Sequence, residues 1–105
     1  MVTVVEDARF EQEPIAVEIL SRLDEVLREI SFSVRMREPM PFEIMHWCYQ
    51  QLKALADKIL SVNIIPLDIE KAMDALERSN LKDAQKFLEK AKADLISIFQ
   101  RRGWI

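Results

Sequence analysis

The sequence predicts an all-α protein, an antiparallel four-helix bundle with an extended N-terminal arm. Three observations point there. Apolar residues recur by threes and fours through most of the 105 residues, the period of a helix with one buried face. The chain holds one Gly and four Pro, and each Pro can be read as punctuation between such runs. Residues that favour strands are scarce beyond Val5.

Residues 1–13 form the predicted arm. Val2, Val4 and Val5 alone make too short a strand, and no second strand is available to pair with it. The first helix begins at Pro14, since a Pro is tolerated at the first helical position. Its stripe is Ala16, Leu20, Leu23, Leu27, Ile30 and Val34, widened by Ile19 and Val26. Pro39 ends it, because the residue before a Pro avoids the helical region.

Pro41 opens the second helix, with Glu43 near the positive end of its dipole. Met45, Cys48, Leu52, Leu55, Ile59 and Val62 mark its inner face until Asn63-Ile64-Ile65-Pro66 breaks the pattern. The third helix is short, from Pro66 or Asp68 to the Arg78-Ser79-Asn80 stretch, with Ile69, Ala72, Met73 and Leu76 inward. Asn80 is placed to cap the fourth helix, and the short connection makes helices three and four antiparallel neighbours. Leu81, Ala84, Leu88, Ala91, Leu95 and Ile98 form the fourth stripe, flanked by Phe87 and Phe99. Arg101 and Arg102 suit the negative end of that helix, and Gly103 suits a left-handed cap just beyond it. Trp104 or Ile105 then folds back on the last turn. Residues 14–105 are thus one domain.

Composition narrows the function. Half of the residues are apolar and 31% are charged, as in a folded domain. One Cys excludes an internal disulfide or a cysteine cluster. No apolar run approaches the ~18 residues of a membrane span, and the first residues lack the basic start and apolar core of a signal peptide, so a cytoplasmic location is expected. The net charge is −3 and uneven: residues 1–30 carry eight acidic and three basic groups, residues 81–105 three acidic and six basic. The asymmetry reads first as two solvated helix faces, since screened surface charges decide little, and second as an attraction between ends, within a chain or between chains. The acidic total argues against general nucleic-acid binding.

His46, Trp47, Cys48 and Tyr49 follow one another and include the only His, Cys and Tyr. On a helix, neighbours point about 100° apart, so the four do not converge on one substrate. Cys48 and Tyr49 fall at the edges of the inner stripe, whereas His46 and Trp47 point out. Cys48 lacks a base within reach and reads as a packed thiol. Glu43 and His46 have the Glu-x-x-His spacing of bundle metal sites, but that spacing occurs once and there is no second His. Catalysis, a metal and a cofactor are therefore not expected.

Trp47 is the strongest lead. Placed outward, it would expose a large apolar surface. Along the same face, Ala54 is small enough for another element to approach. The expected cover is either the N-terminal segment, through Val2, Val4, Val5 and Phe10, or a second copy of the chain. The sequence thus predicts a non-catalytic module for protein–protein contact or self-assembly, a homodimer, with Trp47, Ala54 and His46 as partner-binding residues. Its alternative is a nucleic-acid contact through the outer face of the last helix, using Lys82, Lys86, Lys90 and Arg101. An apolar ligand pocket lined by Met40, Met45 and Met73 ranks behind both.

Overall fold

The structure, a computed structural model, describes the backbone of residues 3–105 and the side chains of residues 14–105. It contains four helices: α1 (Thr3–Met36), α2 (Phe42–Ser61), α3 (Leu67–Glu77) and α4 (Leu81–Arg101). α1 packs on α2 and α4, α3 packs on the same two, and neither diagonal pair comes together. Directions follow from pairs that cross between helices. The Gln85 amide donates to the Ser31 hydroxyl at 3.1 Å, and the Lys92 ammonium lies 2.7 Å from the Asp24 carboxylate. Seven residues up α4 match seven residues down α1, so the two are antiparallel. Short connections turn α2 back along α1 and α4 back along α3.

Burial accounts for the packing. Ile19, Leu23, Val26 and Ile30 of α1 meet Cys48, Leu52, Leu55 and Ile59 of α2 in one interior. Ile69, Ala72, Ala75 and Leu76 of α3 and Ala84, Leu88, Ala91, Leu95 and Phe99 of α4 complete it, and each of these residues is at most 5% exposed. Each large aliphatic side chain removed from water in this way contributes about 1.5–3 kcal/mol. Two stripes are rotated from their expected phase. Ile19 and Val26 lie at the centre of α1's inner face, with Leu20, Leu27 and Val34 at its flank. In α4, Phe99 is fully buried and Ile98 only partly so.

The N-terminal boundary is corrected. The expected arm over residues 1–13 is not extended from Thr3 onward: α1 runs continuously through Pro14, which is an interior residue and not the first turn. Residues 1 and 2 lie outside the described residues. A Pro inside a helix removes one backbone donor and costs about 3 kcal/mol, which is why the sequence reads as a start there. The register of the bundle shows where Pro14 sits. Glu18 pairs with Lys58 of α2, which ends three residues later, and Asp24 pairs with Lys92 of α4, which ends nine residues later. Both neighbours therefore run out level with Ile15. The first three turns of α1 project beyond them, and the long axis of 56 Å matches the ~51 Å of a 34-residue helix.

All four helices end in the same way. A residue with positive φ follows the helix: Arg37 at 55°, Asn63 at 64°, Ser79 at 56° and Gly103 at 74°. The amide one residue further on reaches back to the fifth carbonyl before it: Glu38 to Ser33, Ile64 to Ile59, Asn80 to Ala75 and Trp104 to Phe99. This doubly bonded turn satisfies carbonyls that a helix end leaves open, and it is most at ease with Gly at the left-handed position. Only the last helix has one. After it, Trp104 folds back and stacks on Phe99 at 5.5 Å, with the Arg102 guanidinium 5.0 Å from the centroid of its ring. At the opposite end of α4, the Asn80 side chain accepts from the Asp83 amide at 3.2 Å, the expected cap.

Replacing Arg37 or Ser79 by Gly is therefore expected to stabilise the protein by about 0.5–1 kcal/mol each, read as a raised urea midpoint at unchanged slope. Gly103→Ala should cost about 1 kcal/mol by the same logic, since a Cβ there meets no atom within 4 Å and the whole effect is backbone strain. Leu52→Ala, in the middle of the interior, should cost about 2–5 kcal/mol.

Candidate interaction surfaces

His46 to Tyr49 are set by the first turns of α2, which Pro41 starts by accepting from the Met45 amide at 2.9 Å. Their directions separate them. Cys48 is fully buried, and burial together with the nearby Glu29 carboxylate pushes its thiol up to about 11. It stays protonated and inert near neutral pH. Tyr49 is half-buried and faces α3. A hydrogen bond to the Glu77 carboxylate, with the negative charge of that group, holds its hydroxyl above the usual tyrosine range. His46 is exposed and stacks on the Phe42 ring, centroids 6.1 Å apart. Phe42, Met45, His46, Tyr49, Leu76 and Glu77 line one cleft between α2 and α3.

Trp47 is 38% exposed, so its own chain covers more than half of it. The core direction of α2 runs through Cys48 and Leu55, not through Met45 and Ala56. That rotation of about 40° brings the indole toward the α1 side of the helix. The expected cover by the N-terminal segment is overturned by the course of α1. Its first turns leave the bundle at the end opposite to the α1–α2 turn, where Trp47 sits. The side chains of Val4, Val5 and Phe10 themselves lie outside the described residues, as does Val2. Ala54 is exposed on the same face as Trp47. His46 is turned away from both, so the three expected contact residues do not form one patch.

Sequence reasoning missed the most exposed apolar side chains. Phe42 is 79% exposed, Phe32 51% and Met36 49%, all near the α1–α2 turn with Trp47. Phe32 is out of phase with the stripe of α1 and Phe42 directly follows Pro41, and those were the available signals. In the other half of the molecule Val17, Leu60, Ile65, Leu67 and Ile105 are exposed, Ile65 most of all at 82%.

Lys82, Lys86, Lys90 and Arg101 all lie on the outer surface of α4. Lys90 comes within 3.9 Å of the Asp68 carboxylate, and the other three form no ion pair among the described residues. Lys82 shares an open groove between the two turns with Arg37 and Arg78. The three methionines do not gather: Met40 is buried, and the cleft lined by Met45 contains neither Met40 nor Met73. An apolar cleft of about 110 Å³ under Ile64 and Ile98 is smaller than the roughly 300–1,000 Å³ of ligand sites. Among the described residues no three His, Cys, Asp or Glu side chains come together to hold a metal ion, and no helix is long and apolar enough to cross a membrane.

No family model matches the chain, and no curated protein or solved structure matches it.

One ion pair on this surface has a pH signature. Glu18 of α1 accepts from Lys58 of α2, and this bond, helped by the charges of Lys58 and Arg22, lowers its pKa in the folded state against the opposing effect of partial burial. A carboxylate with a lowered folded pKa contributes stability above its unfolded pKa and loses it as pH falls through the folded value. Glu18→Gln is thus expected to be less stable than the parent at neutral pH. The gap in urea midpoint should close in acid below the normal carboxylate range. A gap that persisted there would show that charge is not its source.

Proposed function

We propose that this protein acts by holding other proteins, first of all a second copy of itself, and not by catalysis. The observation that carries the reading is the distribution of exposed apolar side chains. Nine large ones are exposed among the described residues, and they sort to the two halves near the ends. Phe32, Met36, Phe42 and Trp47 lie in the half of the molecule near the α1–α2 turn, on more than one face, and Val17, Leu60, Ile65, Leu67 and Ile105 in the other half. The outer faces between them carry Lys, Glu and Asp. Aromatic and long aliphatic side chains in clusters are the usual anchors of protein contacts, whereas scattered ones need no explanation. The buried, protonated Cys48 is shielded from any substrate in solution. Trp47, Ala54 and His46 then serve as contact residues on two sides of α2, with Phe42 beside His46.

The second reading is a contact with a polyanion through α4. It is favoured by Lys82 and Lys86, exposed and without an ion-pair partner among the described residues, next to the groove that Arg37 and Arg78 share with Lys82. Nucleic acid is the polyanion to test.

For the first reading, light scattering of the full chain is expected to give a mass above the 12.3 kDa of one copy, rising with concentration. A strictly monomeric protein up to its solubility limit would remove self-association. For the second, a mobility shift on duplex and single-stranded DNA and RNA at low salt should weaken steeply as salt rises. It should disappear in Lys82→Glu/Lys86→Glu.

A further inference from the structure

We infer that two copies join end to end through the projecting turns of α1, each extension lying along the other and capping the partner's α2–α3 loop and α4 C-terminus. This rests on the self-association half of the proposed function and says where it happens.

The first argument is the unpartnered helix. Register places the ends of both neighbours level with Ile15, so about eleven residues of α1 lie beyond the ends of α2 and α4. Most of a helix's stability in a protein comes from packing of one face, and Pro14 removes a backbone hydrogen bond where these turns join the bundle. A helix here calls for a second surface. The sequence supplies one side of it: Val5 and Ala8, with Gln12 the polar exception, keep the three-four step that leads into Ala16, Ile19 and Leu23. The stripe that α1 buries in its own bundle thus continues past the place where that bundle stops.

Charge supplies the second argument. Residues 1–13 carry four carboxylates against one Arg. At the end of the bundle from which they emerge stand Arg101 and Arg102, with Arg102 held by the carbonyls of Val62 and Asn63 at 2.6 and 3.3 Å. Two extensions laid antiparallel, each about 18 Å long, bring the tip of one level with the bundle end of the other. That register sets Glu6 and Asp7 against the partner's end, where this chain's own copy of Arg101 is free of any described ion pair. The floor there is apolar: Ile65 is 82% exposed, Ile105 is 43% exposed, and Ile64 and Ile98 lie beneath.

Size supplies the third. A bundle end 21 × 19 Å across offers less than the ~800 Å² per partner of a stable dimer. Two paired extensions add the missing area, and a two-fold arrangement uses the same surface on both copies, closing the assembly at two.

The test uses the full chain in sedimentation equilibrium, with far-ultraviolet circular dichroism in parallel. The parent should be a dimer. Val5→Glu and Ile65→Glu should each make it monomeric, with the bundle still folded, since residue 5 lies beyond the bundle and Ile65 is mostly in water. Val5→Glu should also lose the ellipticity of about eleven helical residues. Arg101→Glu should raise the dimer dissociation constant by about tenfold at low salt, and adding Asp7→Arg should restore it. A dimer that withstands Val5→Glu and Ile65→Glu but is lost in Phe42→Ser/Trp47→Ser overturns the end assignment and leaves self-association standing. A parent that is monomeric at every concentration overturns both.

Discussion

Everything in this structure depends on one continuous dry interior that four helices must line at once. Its walls are Ile19, Leu23, Val26 and Ile30 on one side and Cys48, Leu52, Leu55 and Ile59 on the next, closed by the small residues of α3 and α4. Ala72, Ala75, Ala84 and Ala91 are small and buried where the last two helices meet the others. α3 is too short to cover the full length of α4. The loop from Asn63 to Pro66 takes over with Ile64 buried, and the Phe99–Trp104 stack closes what remains. The exposed apolar residues lie outside this arrangement, and for that reason they are informative.

The connections show how a fixed interior is combined with sharp reversals. Each helix stops with one residue in the left-handed region and a paired return of backbone hydrogen bonds. Three of the four use Arg, Asn or Ser where Gly would be easiest. Asn63 is a tolerated choice, but Arg37 and Ser79 are not favoured by backbone conformation. Both border the open groove that ends at Lys82, where their side chains remain free for surface contacts.

Most of this architecture was legible from residue spacing. The three-four steps located α2, α3 and α4 to within a residue or two, and Asn80 and Gly103 marked their boundaries by side-chain and backbone chemistry. Two things were not legible. Pro14 has the same local meaning at the first turn of a helix as inside one that tolerates it, and only the helical backbone from Thr3 onward distinguishes them. The facing of Trp47 depended on a rotation of the inner stripe by less than half a residue step, because Cys48 and Leu55 took the centre from Met45 and Ala56. Phe42 and Phe32 were overlooked because reading for stripes finds what is buried and passes over the large side chains left outside.

Cys48 has a consequence of a different kind. It is the single thiol, it sits against the middle of the interior, and it is protonated at ordinary pH. A soluble disulfide or maleimide reagent can reach it only when α2 parts from its neighbours. The protein therefore carries a built-in clock: the rate of thiol labelling reports how often the bundle opens, with no added probe and no competing site elsewhere in the chain.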